Sequence, residues 1–486
     1  MGSMNKIQVT EIGTEELDSR VFNLYEKKEK IYVRKMEGLF QNIRLFTGWP
    51  LLLGYFLLPW INIDGHQAIL FDLPDRKFHI FWLTLWPQDF TLLMWTLAIA
   101  AFALFFVTTL WGRVWCGYTC PQTVWTAIFM WAEQITEGER HQRIKLDQIS
   151  SILSANGRNK AGWNKFWRRG LKHGMWLGFA ALTGITFIGY FYGIREMVSD
   201  ALQWQLPLIA IAWSVFFTLA TYINAGWLRE HVCIYMCPYA RFQSAMFDQD
   251  TLIISYDENR GEQRGSRKRS TDHKAQGLGD CIDCMLCVQV CPTGIDIRDG
   301  LQYECIGCAH CIDACDSIME KMNYPKGLIS YTTQNKLAGG NWTLKRPKLV
   351  GYGVALLVML LMFAGVLYTR MPLRLDVSRD RGQLYQQVAG GLIENVYLLK
   401  IINMDRVDHL YNLSIDGLPD AQLLPNQAIA IAAGEISEIM VRVQMDPDQL
   451  RDFNTRFDFI LETDQALDSR ALRARSESRY IGPRPL

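Results

Sequence analysis

The chain has 486 residues, with 50 Lys and Arg against 49 Asp and Glu and a net charge of +1 at pH 7. This length exceeds one ordinary domain, and the balanced charge lacks the basic excess that nucleic-acid binding requires. The 16 Trp and 24 Phe concentrate in apolar stretches, as the aromatic belts of membrane proteins do. The composition therefore indicates a multi-domain membrane protein with no nucleic-acid partner.

The N-terminal segment 1–38 is polar and charged, without the apolar core of a secretory signal peptide. Met1, Gly2 and Ser3 precede a second possible start at Met4 and resemble an expression tag, so they carry no weight in the fold. We expect residues 1–39 to form a cytoplasmic leader. The chain has 12 cysteines, and without a signal peptide they favour thiol chemistry in a reducing compartment over a disulfide framework.

Five apolar stretches have about the 20 residues needed to cross a bilayer. They are 40–60, 91–111, 172–192, 206–225 and 349–368. Lys and Arg alternate between the intervening segments, with eight in 1–44, two in 61–89, ten in 112–172, one in 193–205 and fifteen in 226–348. The positive-inside rule then predicts a cytoplasmic N-terminus, a four-span membrane domain over 40–255, and a periplasmic tail over 372–486.

Two matching motifs follow the second and fourth predicted spans. They read Cys116-Gly-Tyr-Thr-Cys120-Pro121 and Cys233-Ile-Tyr-Met-Cys237-Pro238. Two span pairs that end alike indicate a duplicated unit. If the segments are helical, thiols four residues apart share one face, and two such pairs would form a soft site that favours Cu(I). His231 and Met236 are possible further ligands.

Other interpretations of these two C-x-x-x-C-P motifs stay open. Free cysteines are often simply buried as small apolar side chains. A redox dithiol is a third interpretation, although redox motifs usually separate their cysteines by two residues. In a fourth interpretation the four thiols shape a docking surface for the clusters of the next segment.

Eight further cysteines lie in two adjacent runs. They read Cys281-x-x-Cys284-x-x-Cys287-x-x-x-Cys291-Pro292 and Cys305-x-x-Cys308-x-x-Cys311-x-x-x-Cys315. This is the spacing of a bacterial two-cluster ferredoxin, in which the fourth thiolate of each run ligates the other cluster. It predicts two [4Fe-4S] clusters in a cytoplasmic domain over 256–348. One is held by Cys281, Cys284, Cys287 and Cys315, and the other by Cys305, Cys308, Cys311 and Cys291.

Two details qualify the ferredoxin prediction. Asp316 stands where a second proline is usual, which concerns the local turn because proline does not ligate. Zinc sites also use C-x-x-C pairs, but two complete four-cysteine runs favour clusters. The histidines are scattered, which argues against membrane haem, and no dinucleotide fingerprint or P-loop is present. Asp64, Asp72 and Asp75 are expected to form a solvated surface.

After the fifth predicted span, 349–368, the tail contains short apolar or alternating runs separated by Gly and Pro. The runs are 396–402, 410–415, 428–432, 439–443 and 457–461. This spacing predicts an immunoglobulin-like β-sandwich over 372–486. The expected fold is thus an α-helical transmembrane bundle of five spans, a two-cluster ferredoxin-like module and a β-sandwich.

These features together resemble the CcoG family, also called FixG or RdxA, and Asn395-x-Tyr397-x-Leu399-Lys-Ile-x-Asn403 is similar to its C-terminal domain. The resemblance implies a bacterial inner-membrane accessory protein for assembly of cbb-type cytochrome c oxidase. Such a protein would reduce Cu(II) to Cu(I) for a copper chaperone or transporter. We therefore expect a cupric reductase, an oxidoreductase that takes electrons from an unknown donor.

In this hypothesis copper is held near four catalytic thiols, those of Cys116, Cys120, Cys233 and Cys237. Two rival functions remain. The membrane part alone is similar to a wider group that includes NapH, which suggests a quinol-linked electron-transfer subunit. A non-enzymatic scaffold, whose sandwich binds oxidase subunits or assembly factors, is the other, although fold alone does not give function.

Overall fold

The computed structural model describes residues 30–483, apart from 64, 75, 153–159, 271, 273, 381, 389, 406, 426, 451 and 464–471. Most of the predicted leader, as well as Asp64 and Asp75, therefore lies outside the described residues.

The chain divides into two compact units. One comprises Met1–Leu52, Val107–Thr183 and Phe216–Thr343, and the other comprises Leu53–Phe106, Gly184–Val215 and Leu344–Leu486. The first unit contains the segments that are rich in Lys and Arg, apart from residues 344–348. The second contains the poor segments and the tail. This grouping follows the alternation of the charge count, while the side of the membrane on which each unit lies stays a prediction.

The first half of the chain is largely helical, and apolar sequence accounts for its longest helices. Its helices are Leu39–Leu57, Phe90–Trp111, Pro121–Glu137, Arg140–Ile152, Lys160–Tyr192, Ile194–Leu202, Leu208–Thr221 and Pro238–Met246. Within the described ranges, four helical segments are long and apolar enough to cross a membrane: Phe90–Trp111, Trp163–Tyr192, Leu208–Leu228 and Pro347–Thr369. They correspond to the second to fifth predicted spans.

The first predicted span forms the helix Leu39–Leu57, which is not among these four. Gln41, Asn42 and Arg44 lie in its first turns and lower its hydropathy. The Asp313 carboxylate caps its N-terminus, since it accepts hydrogen bonds from the backbone N–H of Phe40 at 3.1 Å and of Gln41 at 2.9 Å. The span count of five therefore stays a prediction.

Between the helices Leu39–Leu57 and Phe90–Trp111 lies a small β-structure that the sequence analysis did not predict. Its strands are Asn62–Ile63, His66–Gln67, Ile69–Asp72, Lys77–Ile80 and Leu83–Leu85, and the last three form one antiparallel sheet. Two side chains join it to the C-terminal part of the same unit. Arg370 Nη2 donates to the Thr84 carbonyl at 3.2 Å, and Lys77 Nζ donates to the Gly434 carbonyl at 3.2 Å.

The two cysteine runs repeat in backbone conformation as well as in spacing. The helices Leu286–Gln289 and His310–Met322 lie beside an antiparallel pair of strands, Ile253–Tyr256 and Ile329–Thr332. Each helix begins directly after a residue with left-handed backbone, Met285 (φ 58°) or Ala309 (φ 61°). Residues without glycine's freedom rarely adopt this conformation, so its repetition supports a duplicated cluster-binding fold.

The tail is a two-sheet sandwich. One sheet has the order Gln422–Leu424, Ile436–Met445, Ile393–Asn403, Leu373–Arg379, with Gln386–Gln387 beside Ile393–Asn403. The other has the order Ile429–Ile431, His409–Asp416, Asn454–Thr463, Arg473–Ile481. Tyr397, Phe457 and Phe459 meet edge to face in the core, with ring centroids 4.9 to 5.5 Å apart. All five predicted runs form strands.

Candidate metal centre

The first predicted set of cysteines surrounds one cavity. The cavity is lined by Cys281, Cys284, Cys287 and Cys315. Burial raises the pKa of Cys315 to about 12, and the neighbouring charges of the other three cysteines add to the effect. Among the described residues that line the cavity, Cys291 is absent, although it belongs to the first run. The crossed grouping is therefore what the chain fold brings together here.

Cys291 lies with the second run instead. Burial raises the pKa of Cys305 to about 12 and also raises the pKa of Cys308 and Cys311. The charge of Cys291 adds to all three shifts, which requires that it be close to them. The structure thus assembles two sets of four thiols. Their ligation of clusters stays a prediction.

Both sets suit iron–sulfur cubanes by their chemistry. Thiolates are the ligands of such clusters, and thiols with a pKa near 12 must lose protons when they bind metal. No three His, Cys, Asp or Glu side chains in the described part of the chain are close enough to hold a single metal ion. Two sets of four thiols, drawn from two complete four-cysteine runs, favour iron–sulfur clusters over zinc.

Arg298 lines the cavity of the first set and its side chain is 5 % exposed. It donates from Nε to Asp296 Oδ1 at 2.9 Å, from Nη1 to Asp283 Oδ1 at 2.5 Å and from Nη2 to Met285 Sδ at 2.7 Å. Its positive charge lowers the pKa of Cys287 against the larger, opposite effect of burial. Arg298 therefore places a fixed cation beside this thiol set.

Arg298→Gln is expected to lower the reduction potential of the adjacent cluster, because a nearby cation stabilises the electron that reduction adds. At an effective dielectric constant near 20 the effect is on the order of 1–2 kcal/mol, or roughly 50–100 mV for one electron. A redox titration followed by EPR measures it. Arg298→Lys retains the charge and should restore most of the potential. A shift of equal size in both clusters would contradict the assignment to one site.

The two C-x-x-x-C-P motifs have the same local structure. Each contains a single π-helical turn, Trp115–Thr119 or Val232–Met236. Each turn closes with a hydrogen bond of 2.8 Å, from Cys120 N to Trp115 O and from Cys237 N to Val232 O. Such turns often occur at functional sites. The duplication predicted from the sequence therefore extends to the backbone.

In both motifs the second cysteine precedes a helix. Cys120 is the N-cap of Pro121–Glu137, and Cys237 is the N-cap of Pro238–Met246. Proline at the first helical position is favoured because it needs no hydrogen-bond acceptor for an N–H. The partial positive charge of a helix N-terminus stabilises a thiolate. Each motif thus places its second cysteine at the start of a helix.

The first cysteines of the motifs have a different environment. Burial raises the pKa of Cys116 to about 12 and that of Cys233 to about 12. The charges of Cys120, Cys233 and Cys237 all act on Cys116, so the four thiols are neighbours. His231 stacks on Tyr235, with ring centroids 5.7 Å apart. Within the described residues, however, it joins no group of three possible ligands.

The first motif touches the second cysteine run directly. A side-chain carbon at Gly117 would lie 2.6 Å from the carbonyl oxygen of Gly307 and 3.1 Å from the Cα of Cys308. Tyr331 donates from its hydroxyl to the same Gly307 oxygen at 2.8 Å and lies 3.1 Å from the Tyr118 hydroxyl. Gly117 is therefore required for close contact between the two backbones.

Two arginines stabilise the contact between the first motif and the second cysteine run. Arg113 Nη1 donates to the Cys305 carbonyl at 2.8 Å, and Arg44 Nε donates to the Gly117 carbonyl at 3.0 Å. The second motif approaches the same place, since Cys233, Pro292 and Ile306 line one small cavity. Both motifs thus lie beside the loops that carry Cys291 and Cys305. The sequence motif contained Arg113, but nothing in its spacing indicated this partner.

Comparisons with known proteins agree with this architecture. The family described as a 4Fe-4S dicluster domain matches residues 228–334, and a 4Fe-4S binding domain matches 93–135, which includes Cys116 and Cys120. The family of the IG-like fold at the C-terminus of FixG matches 363–483. The chain therefore combines iron–sulfur domains, apolar helices and an immunoglobulin-like domain.

Whole-chain relatives extend the comparison. "Nitrogen fixation protein FixG" of Rhizobium meliloti is 36% identical over 461 residues, covering 87% of this chain and 85% of that protein. "Protein RdxA" of Cereibacter sphaeroides is 35% identical over 419 residues, covering 81% and 84%. A crystal structure of a FixG-related protein from Vibrio parahaemolyticus is 34% identical with a TM-score of 0.20, covering 23% of this chain and 95% of that one. The chain belongs to the FixG family of membrane iron–sulfur electron-transfer proteins.

Proposed function

We propose that this protein reduces Cu(II) to Cu(I) at its four C-x-x-x-C-P thiols and supplies the product for assembly of a cbb-type cytochrome c oxidase. The observation that carries the proposal is the contact of Gly117 with Gly307 and Cys308. It joins a soft-ligand motif to the backbone of a cysteine run. An electron acceptor bound at the thiols would therefore lie next to the electron-carrying module.

The cofactors in this proposal are two [4Fe-4S] clusters. Cys281, Cys284, Cys287 and Cys315 would hold one, and Cys305, Cys308, Cys311 and Cys291 the other. When bound, these clusters supply one-electron transfer. Reduction of Cu(II) consumes one electron per ion, so the stoichiometry of donor and substrate agrees. The half-buried Tyr331 and Arg113 donate hydrogen bonds that hold the loop Cys305–Gly307 against the first motif.

The thiols favour copper as substrate because soft sulfur ligands prefer Cu(I) to harder ions. Cys120 and Cys237 are the N-cap residues of the two helices that follow the motifs. Cu(I) is stable with two thiolates, so a site of this kind needs no group of three preformed ligands. Preferential binding of Cu(I) also raises the potential of the copper couple, which favours reduction.

The orientation of the protein in the membrane decides where Cu(I) is released and which partners can receive it. With the N-terminus and the clusters in the cytoplasm, Cu(I) would be released to a cytoplasmic copper chaperone or to a transporter in the inner membrane. The immunoglobulin-like domain would then lie in the periplasm, where it could contact oxidase assembly factors. The Lys and Arg alternation of the sequence supports this orientation.

The test replaces all four thiols, Cys116, Cys120, Cys233 and Cys237, with serine. The variant should lose Cu(II) reduction while its iron content and cluster EPR signals stay unchanged. Purified protein is reduced anaerobically, and Cu(II) is added with a Cu(I)-specific chelator. Tyr235→Phe, within the second motif, is the matched control and should stay active.

Two results would overturn the site. Retained Cu(II) reduction would show that the four thiols do not hold the substrate. Loss of iron from the serine variant would show that they bind an iron–sulfur cluster rather than copper, a result to which the 4Fe-4S match over 93–135 gives particular weight.

A further inference from the structure

A cavity of about 420 Å³ lies between the end of the helix Phe90–Trp111 and the second cysteine run. Trp111 and Val114 form its wall on one side, and Cys305 and Gly307 form part of the wall on the other. Its volume is within the range of roughly 300–1,000 Å³ that small-molecule sites have. The cavity therefore connects a membrane-facing element with a predicted cluster ligand.

The mouth of the cavity is apolar and exposed where a membrane surface is expected. Trp111, the last residue of an apolar span, is 47% exposed, and Leu301 and Tyr303, just before Cys305, are 45% and 54% exposed. Arg113 fixes this loop, because it donates to the carbonyls of Tyr303 and Cys305. Aromatic and apolar side chains at a span end are typical of the bilayer interface. A molecule dissolved in lipid can thus reach the cavity.

The chemistry of the wall excludes a nucleotide. Among the described residues that line the cavity, Arg113 and Asp248 are the charged ones, and Arg113 already donates to three carbonyls, including that of Ala240 at 3.2 Å. No basic cluster remains for phosphate groups. Instead, the exposed residues Gln249 and Gln334 line the cavity together with apolar side chains. Such a combination suits a neutral ring with polar oxygen substituents.

We propose that this cavity binds the ring of a membrane quinol, which donates the electrons that the protein uses. The inference rests on the proposed function for the fate of those electrons. Oxidation breaks the two O–H bonds of the quinol and gives a quinone, two electrons and two protons. Two Cu(II) ions take up one electron each and become Cu(I), and the protons leave to water at the open mouth. Electrons leave the quinol through the wall of the cavity that contains Cys305, a predicted cluster ligand.

The test uses the full-length, cluster-loaded protein in phosphatidylcholine nanodiscs and an azido-substituted benzoquinone with a short isoprenoid tail. Photolysis and mass spectrometry should locate the label on the peptides around Trp111 or 301–303, and excess unsubstituted quinone should prevent labelling. Leu301→Arg places a charge at the apolar mouth and should reduce labelling at least about tenfold. Leu337→Arg, at a leucine that is 38% exposed and outside the cavity lining, is the matched control.

A second readout tests the donor role without copper. Anaerobic duroquinol, in excess over its quinone, should bleach the cluster absorbance in the wild type and in Leu337→Arg, but much more slowly in Leu301→Arg at equal iron content. Labelling elsewhere, or competition by phospholipid as effective as by quinone, would overturn the quinol site. Labelling without bleaching would overturn the donor role. Cu(II) oxidation of dithionite-reduced protein, measured without quinone, tests the proposed function separately.

Discussion

Replacing Cys315 with alanine is expected to remove one cluster and leave the other, so that iron falls from about eight to about four atoms per chain. Cys291→Ala should have the same effect on iron content. The physical reason is that Cys315 lies with Cys281, Cys284 and Cys287 around one cavity, whereas Cys291 lies with the second run. A cubane that loses one of four thiolate ligands is not retained in full.

Arg298 shows which cluster survives in each variant, because it lines the cavity of the first set. In a Cys291→Ala background, Arg298→Gln should shift the potential of the remaining cluster. In a Cys315→Ala background the same substitution should leave the remaining potential unchanged. An uncrossed ligand pattern predicts the reverse of both outcomes. EPR-monitored titration of the two pairs of variants therefore decides between the patterns.

Gly117→Ala is expected to reduce the rate of Cu(II) reduction on the order of tenfold to a hundredfold, since a misplacement of about 1 Å has effects of that size. The new methyl carbon would stand 2.6 Å from the Gly307 carbonyl oxygen. That neighbour is backbone and cannot rotate away, so the motif and the cysteine run must separate. Stopped-flow reoxidation of reduced clusters by Cu(II) measures the rate.

The matched control for this substitution is Gly174→Ala, because a side-chain carbon at Gly174 would meet no atom within 4 Å. It should retain the wild-type rate. Iron content must be equal in both variants, so that a slower rate reflects separation rather than cluster loss. If Gly117→Ala reacts as fast as the control, electrons leave the second run by some route other than the first motif.

The sequence predicted those parts of the molecule that have a local pattern. The cysteine runs are recognisable by spacing, and the strands Ile393–Asn403 and Ile436–Met445 by their apolar content. The strand Arg473–Ile481 was missed because it reads Arg-Ala-Arg-Ser-Glu-Ser-Arg-Tyr-Ile, which carries almost no apolar alternation. It belongs to the sandwich because it pairs along its length with Asn454–Thr463, an interaction that its own residues do not indicate.

In the site, too, local sequence motifs were predictable, whereas contacts between residues distant in the chain were not. The repeat of C-x-x-x-C-P was visible in the sequence, and its identical π-helical turns follow from similar local sequence. The contact of Gly117 with Gly307 joins positions far apart in the chain, and a glycine in a motif does not reveal which backbone it approaches. Arg298 was likewise missed, because its partners depend on how the first run folds around it.

The cap on the helix Leu39–Leu57 has a consequence for how the protein matures. Asp313, which accepts hydrogen bonds from Phe40 and Gln41, lies between Cys311 and Cys315 in the helix His310–Met322. Whatever orders that helix also stabilises the start of the first apolar helix, and the coupling is reciprocal. If Cys311 and Cys315 ligate clusters as predicted, loading of iron and ordering of the start of Leu39–Leu57 are thermodynamically linked. We then expect this helix end to be less stable in a chain without its clusters.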